Sequence, residues 1–259
     1  MIDPQQSSIP DTLFKYVDAK GGLATLEQKM VSVMFSKPSD LNDPFEFLPS
    51  LNRISCDPSE FGSDCKYLAS PFLSATADYL KQEIELHWFV TSLTTADRNV
   101  RMWAQYAGNH SGIKLTFNPA SAIILGQKDW MRPVRYCALT RCDVTGLQAL
   151  NDQKKGELLM QVATHKGPDW EHEKEIRWFL RDDGQQNKAS KRIDGGKMRA
   201  FVELHHSCIQ RVTVGYWSDP SLLRSVLELR KLHNARWEVA RAVLSHQSFQ
   251  FDEEVIPVA

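Results

Sequence analysis

Trp170-Glu171-His172-Glu173-Lys174-Glu175-Ile176-Arg177 is the densest cluster of charged and aromatic residues in the chain. The sequence predicts a β-strand over residues 173–180. Successive side chains of a strand point to opposite faces of the sheet. Ile176, Trp178 and Leu180 would then face the core together. The segment therefore predicts a strand with one apolar face and one charged face.

The charged face of this predicted strand carries Glu173, Glu175 and Arg177, with about 7 Å between successive side chains. Two neighbouring carboxylates repel each other, and Arg177 favours the ionised form of its neighbour. One carboxylate can stabilise a developing cation while the other handles a proton, as in glycosidic-bond cleavage. Trp170 offers a wall for a flat ligand ring. The alternative is a solvated strand face whose charges pair modestly.

The rest of the chain predicts strands and helices in irregular succession, which is typical of an α+β fold. We predict one domain over residues 1–259, with a polar lead-in at residues 1–9 and a glycine-rich, charged surface loop at residues 182–199. Strands are predicted at residues 13–16, 30–35, 87–93, 113–117, 201–204, 211–216, 238–244 and 248–251. Helices are predicted at residues 74–86, 99–108 and 152–164, and after Asp219 and Pro220.

The bulk composition narrows the classes of protein. Of 259 residues, 42% are hydrophobic and 24% are charged, which is ordinary for a globular protein with a substantial core. The net charge of −1 does not itself indicate a nucleic-acid binder. We expect a cytoplasmic protein without a membrane partner, because neither a signal peptide nor a long apolar run is evident. The five cysteines form no Cys-x-x-Cys pair, so we predict no metal site.

Several short motifs, in this order, resemble a bacterial family numbered 2971 among domains of unknown function. The resemblance extends over nearly the whole chain, and it implies no activity. The motifs are Leu13-Phe14-Lys15-Tyr16, Phe35-Ser36-Lys37-Pro38, Asn42-Asp43-Pro44-Phe45-Glu46, Val90-Thr91-Ser92, Met102-Trp103-Ala104-Gln105-Tyr106-Ala107 with His110 and Gly112, and the segment from Trp170 to Arg177.

A second resemblance does imply an activity. Glu173-Lys174-Glu175-Ile176 is similar to the Glu-x-Glu strand of ADP-ribosyltransferases, in which the second Glu stabilises an oxocarbenium-like transition state and the first assists the acceptor. The resemblance implies that Glu175 is catalytic, that Glu173 is its helper and that NAD is the substrate. It also implies a mixed, split sheet of the ADP-ribosyltransferase type, flanked by helices.

Further residues would surround NAD in such an enzyme. Val90-Thr91-Ser92 resembles the Ser-Thr-Ser strand that shapes the NAD pocket. The first strand offers Lys15 and Tyr16 where the family has Arg or His, and Lys15 would contact phosphate as a point charge. Trp103 and Tyr106 would stack on a ring of the ligand, although such spacing is also typical of a helix core. Arg177 departs from ADP-ribosyltransferases, which usually have an apolar residue at the corresponding position.

Other residues are candidates for lining the site. Asn42, Asp43 and Glu46 follow a strand in a turn-rich segment, where the alternative is a structural turn. His110 is a candidate base or ribose ligand, or else an ordinary loop residue. The residues at 182–199 include a basic strip that would suit a phosphate backbone, or a solvated loop. The strip comprises Lys188, Lys191, Arg192, Lys197 and Arg199.

Three hypotheses follow for the function. The first is an NAD-dependent ADP-ribosyltransferase, acting as a toxin or anti-phage defence effector on a protein or nucleic acid, with a neutralising antitoxin as partner. The second is a nuclease or glycosidase in which Asp43, Glu46, Glu173 and Glu175 converge on one metal ion. The third is a non-enzymatic interaction module, for which the two carboxylates would lie on an exposed flat face.

Overall fold

A computed structural model describes residues 10–43, 47, 82, 84–118, 130–137, 160, 162–182 and 189–257. The helices are α1 (Ala19–Leu26), α2 (Val100–Tyr106) and α3 (Pro220–Leu232). The strands are β1 (Leu13–Val17), β2 (Val31–Ser36), β3 (Trp88–Thr94), β4 (Ile113–Phe117), β5 (Met131–Pro133), β6 (Arg135–Tyr136), β7 (His165–Lys166), β8 (Glu175–Arg181), β9 (Ser190–Asp194), β10 (Lys197–Leu204), β11 (Ile209–Val214), β12 (Glu238–Leu244) and β13 (Phe251–Val255). Short 3-10 helices span Pro38–Asp40, Pro168–Glu173 and His206–Cys208.

Eleven of the described strands form one mixed sheet. Its main path runs β13-β12-β11-β4-β1-β3-β2-β10-β9, while β8 pairs with β3, and β5 pairs with β8. β11 and β12 are parallel, whereas β1 and β4 are antiparallel, as are β3 and β8. β6 and β7 form a separate parallel pair. The predicted α+β class with a mixed sheet is therefore confirmed.

The sheet divides at β3. This strand pairs with β8 along its whole length, from Trp88 opposite Arg181 to Thr94 opposite Glu175. In contrast, β3 meets β1 only through Thr94 and Phe14, and meets β2 only near Ser36. Because β8 occupies one edge of β3, β1 and β2 both meet the opposite edge, near Thr94 and near Val90 respectively. The two strands diverge from there and leave a cleft between them.

Both faces of the sheet are buried around β1, which explains its apolar sequence. Leu13 faces the main core, whereas Phe14 and Tyr16 belong to a second cluster under α2. α2 begins where the Asn99 side chain accepts hydrogen bonds from two backbone amides of its first turn. Its residue Trp103 packs edge-on against Tyr16, with ring centroids 5.2 Å apart. These contacts fix α2 against the strand that forms one wall of the cleft.

Residues 190–199, which we predicted as part of a surface loop at 182–199, form strands and a tight turn instead. Residues 183–188 of that prediction lie outside the described residues. β9 and β10 form an exposed antiparallel hairpin at the sheet edge, closed by Gly195 and Gly196, both with positive φ. A two-residue turn with positive φ at both positions suits glycine and matches the twist of a hairpin. The prediction failed because the outer strand is charged on both faces and lacks apolar alternation. The predicted lead-in at residues 1–9 lies outside the described residues.

Among the described residues, no helix combines the length and the apolar character needed to span a membrane.

Candidate functional site

A cavity of about 250 Å³ occupies the cleft beside β3. It is small beside typical ligand pockets of roughly 300–1,000 Å³, so it would hold one end of an extended ligand. Four parts of the fold contribute to it: β1, β3, the segment after β2, and α2, together with the charged residues around the start of β8. The described lining residues are Phe14, Lys15, Tyr16, Asp40, Leu41, Asn42, Ser92, Leu93, Thr94, Met102, Tyr106, Lys166, Glu173 and Glu175.

Glu175 begins β8 and is 4% exposed. The Arg177 side chain holds it with two hydrogen bonds, from Nε to Oε1 at 2.9 Å and from Nη2 to Oε2 at 3.2 Å. Burial alone would raise the pKa of Glu175, but the positive charges of Arg177 and Lys166 and the hydrogen bonds from Arg177 and Ser92 lower it to about 2. Glu175 is therefore an anion at neutral pH, suited to stabilising positive charge rather than to donating a proton.

Ser92 connects the two motifs that the sequence singled out. Its Oγ donates a hydrogen bond to Glu175 Oε1 at 2.6 Å, although the residues are 83 positions apart in the chain. The strand register explains this contact, because Ser92 lies opposite Arg177 on β8 and Glu175 is the next residue on the same face. The predicted association of Ser92 with the Glu-x-Glu segment therefore has a direct structural basis.

Glu173 does not lie on the strand, contrary to our prediction. It is the last residue of the 3-10 helix, and Lys174 follows it in a left-handed conformation with φ of 44°. That turn displaces Glu173 from the strand alternation. The Thr94 hydroxyl donates to the Glu173 backbone carbonyl and so fixes the turn against the end of β3.

The Glu173 carboxylate nevertheless enters the same cavity and is 3% exposed. Its Oε2 accepts a hydrogen bond from Lys166 Nζ at 2.7 Å, and its Oε1 accepts one from the Tyr106 hydroxyl. Tyr106 in turn accepts a hydrogen bond from Asn42 Nδ2 at 3.0 Å. Burial and the hydrogen bond to Glu173 raise the pKa of Tyr106, so it remains a donor at neutral pH. Tyr106 and Asn42 thus lie in the pocket, as predicted.

Arg177 does not line the ligand-facing surface that we predicted for it. The alternation along β8 is as expected, but the charged face is covered and Arg177 is 0% exposed. Its Nη1 donates to the Ala163 carbonyl at 2.6 Å, and its guanidinium lies 5.1 Å from the Phe47 ring centroid. Arg177 therefore holds Glu175 in position instead of contacting a ligand. The pattern of one strand could not reveal the segments that cover this face.

Lys15 enters the cavity from β1. Its Nζ donates to Thr91 Oγ1 at 2.7 Å and to the Ser92 carbonyl at 3.1 Å. Burial lowers the pKa of Lys15 to about 8, and the charge of Glu175 partly opposes this shift. An ammonium has three donor hydrogens, so this charged group retains capacity for a ligand.

Two residues of the site, Lys166 and Tyr136, were not predicted from the sequence. Lys166 Nζ lies 3.5 Å from Glu175 Oε2 as well as binding Glu173, and it lies 4.6 Å from the Trp170 ring centroid. The Tyr136 hydroxyl accepts a hydrogen bond from the Glu175 backbone amide at 2.8 Å. Both come from the two-residue strands β6 and β7, which are too short for a periodic sequence signal.

Several other predicted residues are not in contact with the cavity. Trp103 is buried in the second core cluster at 1% exposure, so it has no face for stacking on a ligand. His110 packs against Trp217, and burial lowers its pKa. Glu46 lies outside the described residues. The described cavity lining also omits Asp43, Thr91, Trp170 and Arg177.

Residues 102–178 match the model of a family described as "Protein of unknown function (DUF2971)". The match supports the predicted resemblance to that family. It is narrower than expected, because the motif at residues 42–46 and the strand at residues 88–94 lie outside it. Five residues of the described cavity lining lie within it: Met102, Tyr106, Lys166, Glu173 and Glu175. Comparisons with curated proteins and with solved structures found no match.

Proposed function

We propose that this chain is an NAD-dependent ADP-ribosyltransferase-like enzyme whose catalytic residue is Glu175. The observation that carries the proposal is the hydrogen bond from Ser92 Oγ to Glu175 Oε1, both of which line the cavity beside β3. It joins the two segments that resemble the corresponding motifs of ADP-ribosyltransferases. Perturbed carboxylates in a cavity are also the groups from which active sites are commonly built.

The proposed reaction breaks the bond between the ribose C1′ and the nicotinamide nitrogen. The bonding electrons leave with neutral nicotinamide, and positive charge develops on the ribose. Glu175, ionised and buried, would stabilise that charge more strongly than an exposed carboxylate, because charges interact more strongly where they are less hydrated. A nucleophile of the acceptor then bonds to C1′ and loses its proton, for which Glu173 is the proposed acceptor.

Ligand binding would require a change at Glu175, whose oxygens already receive hydrogen bonds from Ser92 and Arg177. Its contact with Lys166 is the longest of the set at 3.5 Å, whereas Lys166 lies 2.7 Å from Glu173. We expect the ribose hydroxyls to replace the Lys166 contact and leave Arg177 in place. Lys166 would then remain with Glu173.

The two other hypotheses have less support. A shared metal ion would need to lie between Glu173 and Glu175, and the Lys166 ammonium is within 3.5 Å of both carboxylates. An interaction module would present the carboxylates on an open face, but both are buried. Each finding favours a small-molecule cavity at this end of β8.

Incubation with labelled NAD and total cell extract, followed by separation of protein from nucleic acid, tests the proposal and identifies the acceptor class. We expect label in one macromolecular fraction with the wild-type protein and none with Glu175→Gln. We also propose a toxin or defence role, for which growth inhibition should likewise disappear in Glu175→Gln. Equal labelling by wild-type and Glu175→Gln proteins would rule out the proposed role of Glu175.

A further inference from the structure

Two cations and one carboxylate meet at the rim of the cavity. Asp40, which lines the cavity, ends the 3-10 helix that follows β2. Lys197 Nζ lies 2.5 Å from Asp40 Oδ1, and Arg199 Nη1 binds Asp40 Oδ2. Burial raises the pKa of Asp40, but the two cations more than offset this effect and lower it overall. One carboxylate therefore shares two full positive charges.

The described site as a whole also carries an excess of positive charge. Cations that line the cavity or pair with its lining residues outnumber the carboxylates by two. The cations are Lys15, Lys166, Arg177, Lys197 and Arg199, and the carboxylates are Glu173, Glu175 and Asp40. At the carboxylate pair itself, Lys166 and Arg177 balance the two glutamates, so the excess lies with Lys15 and at the rim.

Strand geometry separates the rim cations from Lys191, whereas Arg192 lies opposite Arg199 on their own face. Lys197 and Arg199 are two residues apart on β10 and so lie on one face, beside the end of β2. Lys191 lies opposite Ala200, on the other face of the hairpin, where it pairs with Asp182. The described cations of the strip therefore do not all share one face, since Lys191 points away from Arg192, Lys197 and Arg199.

We infer that Lys197 and Arg199, held by Asp40, form a phosphate-binding subsite at the rim of the cavity. Lysine and arginine are the usual partners of phosphate oxygens, as point charge and planar fork respectively. The Lys197 side chain is 54% exposed, so it can turn towards a ligand without disturbing the core. Assigning this phosphate to the pyrophosphate of NAD rests on the proposed function.

Calorimetric titration of the full chain with inorganic pyrophosphate tests the subsite without requiring NAD. Lys197→Ala should weaken binding about tenfold, the loss expected for one charge-assisted contact. Lys191→Ala is the matched control, because it removes the same charge from the opposite face, and it should leave binding unchanged. Asp40→Asn should tighten binding, because it frees both cations from their competing carboxylate.

A purely structural role for these ion pairs predicts a different result. Lys197→Ala and Lys191→Ala would then bind pyrophosphate equally, and folded Asp40→Asn protein would not bind it more tightly; either result overturns the inference. Absence of binding to the wild-type protein also overturns it. If Lys197-dependent binding is found but no nicotinamide is released from NAD, the subsite stands and the proposed function fails. If nicotinamide is released from NAD but pyrophosphate binding does not depend on Lys197, the subsite is ruled out and the proposed function stands.

Discussion

Glu175 is the residue on which the proposed chemistry depends, and its neighbours determine its charge. A buried carboxylate without partners would take up a proton. Here Arg177, Lys166 and Ser92 keep Glu175 ionised, with a pKa of about 2. Ionisation of Glu175 stabilises the folded state above the ordinary pKa of a glutamate, and this contribution is lost as pH falls towards about 2.

Ser92→Ala removes the hydroxyl that donates to Glu175 while leaving Arg177 in place. We expect kcat for NAD turnover to fall about ten- to a hundredfold, the range for losing one hydrogen bond to a charged group. The pKa of Glu175 should rise in the same variant. Steady-state kinetics of nicotinamide release would check the first effect. Ser190→Ala, on the exposed strand β9, is the control, and equal kcat values for the two variants would contradict the prediction.

The lowered pKa of Lys15 predicts how the affinity for NAD depends on pH. Its pKa of about 8 means that the ammonium loses its charge as pH rises through that value. We therefore expect the KM for NAD to increase above about pH 8, and this dependence to disappear in Lys15→Met. Lys20→Met, which alters an exposed lysine of α1, should retain the wild-type profile. A flat wild-type profile of KM against pH would show that Lys15 does not bind the ligand.

The free energy of unfolding should also depend on the protonation of Lys15, and the lowered pKa fixes the direction of this dependence. Because the pKa is lower in the folded state, the unfolded chain binds more protons between about pH 8 and the ordinary pKa of 10.5. The free energy of unfolding from this group therefore increases as pH rises through that window.

The small β6–β7 pair is the element that completes the site. It brings the Tyr136 hydroxyl to the Glu175 backbone and the Lys166 ammonium to both carboxylates. A two-residue parallel pair has little stability alone, so its position depends on these polar contacts and on the neighbouring 3-10 helix. The polar network of the site thus holds together elements that apolar packing alone would not fix.

Lys166→Met should show how strongly this element depends on charge. Removing one partner of a buried ion pair leaves uncompensated charge, so the free energy of unfolding should fall by about 3–5 kcal/mol at neutral pH. The deficit should shrink as pH falls, because loss of the Lys166 charge would raise the pKa of Glu175 and its proton uptake would remove the repulsion. Urea denaturation at two pH values measures both effects.

A second substitution separates charge from packing at Lys166. Glu173→Gln in the Lys166→Met background removes one of the repelling charges and should restore much of the lost stability. Lys174→Met changes an exposed lysine of the adjacent turn and should have little effect. If the double variant is no more stable than Lys166→Met, the loss is one of packing rather than charge.

Across the whole molecule, the sequence predicted those features that leave a local pattern. β3 and β12 follow from apolar and β-branched runs, and α3 follows from the Asp219 cap and the proline after it. The choice of Glu175 and Ser92 as candidate site residues followed from a resemblance in short motifs, and the two side chains are in contact. Each of these signals lies within a few consecutive residues, where propensity and capping act.

Features that depend on contacts between distant parts of the chain could not be predicted from local sequence patterns. Lys166 becomes part of the site only because β7 pairs with β6 beside the start of β8. Arg177 is buried because Phe47 and Ala163 cover a face that alternation alone would leave open. The turn at Lys174 likewise depends on the fold around it, since a left-handed lysine has no sequence signal.

The rate of nicotinamide release from NAD by three purified proteins tests the central claim most directly. Glu171→Gln changes an exposed carboxylate of the 3-10 helix that precedes β8. This variant and the wild-type protein should release nicotinamide at similar rates. Glu175→Gln should lose at least about a hundredfold in kcat while keeping its melting temperature within a few degrees. Release at the wild-type rate by folded Glu175→Gln protein, or no release by the wild type with any acceptor extract, would contradict the assignment of this cavity as an ADP-ribosyltransferase site.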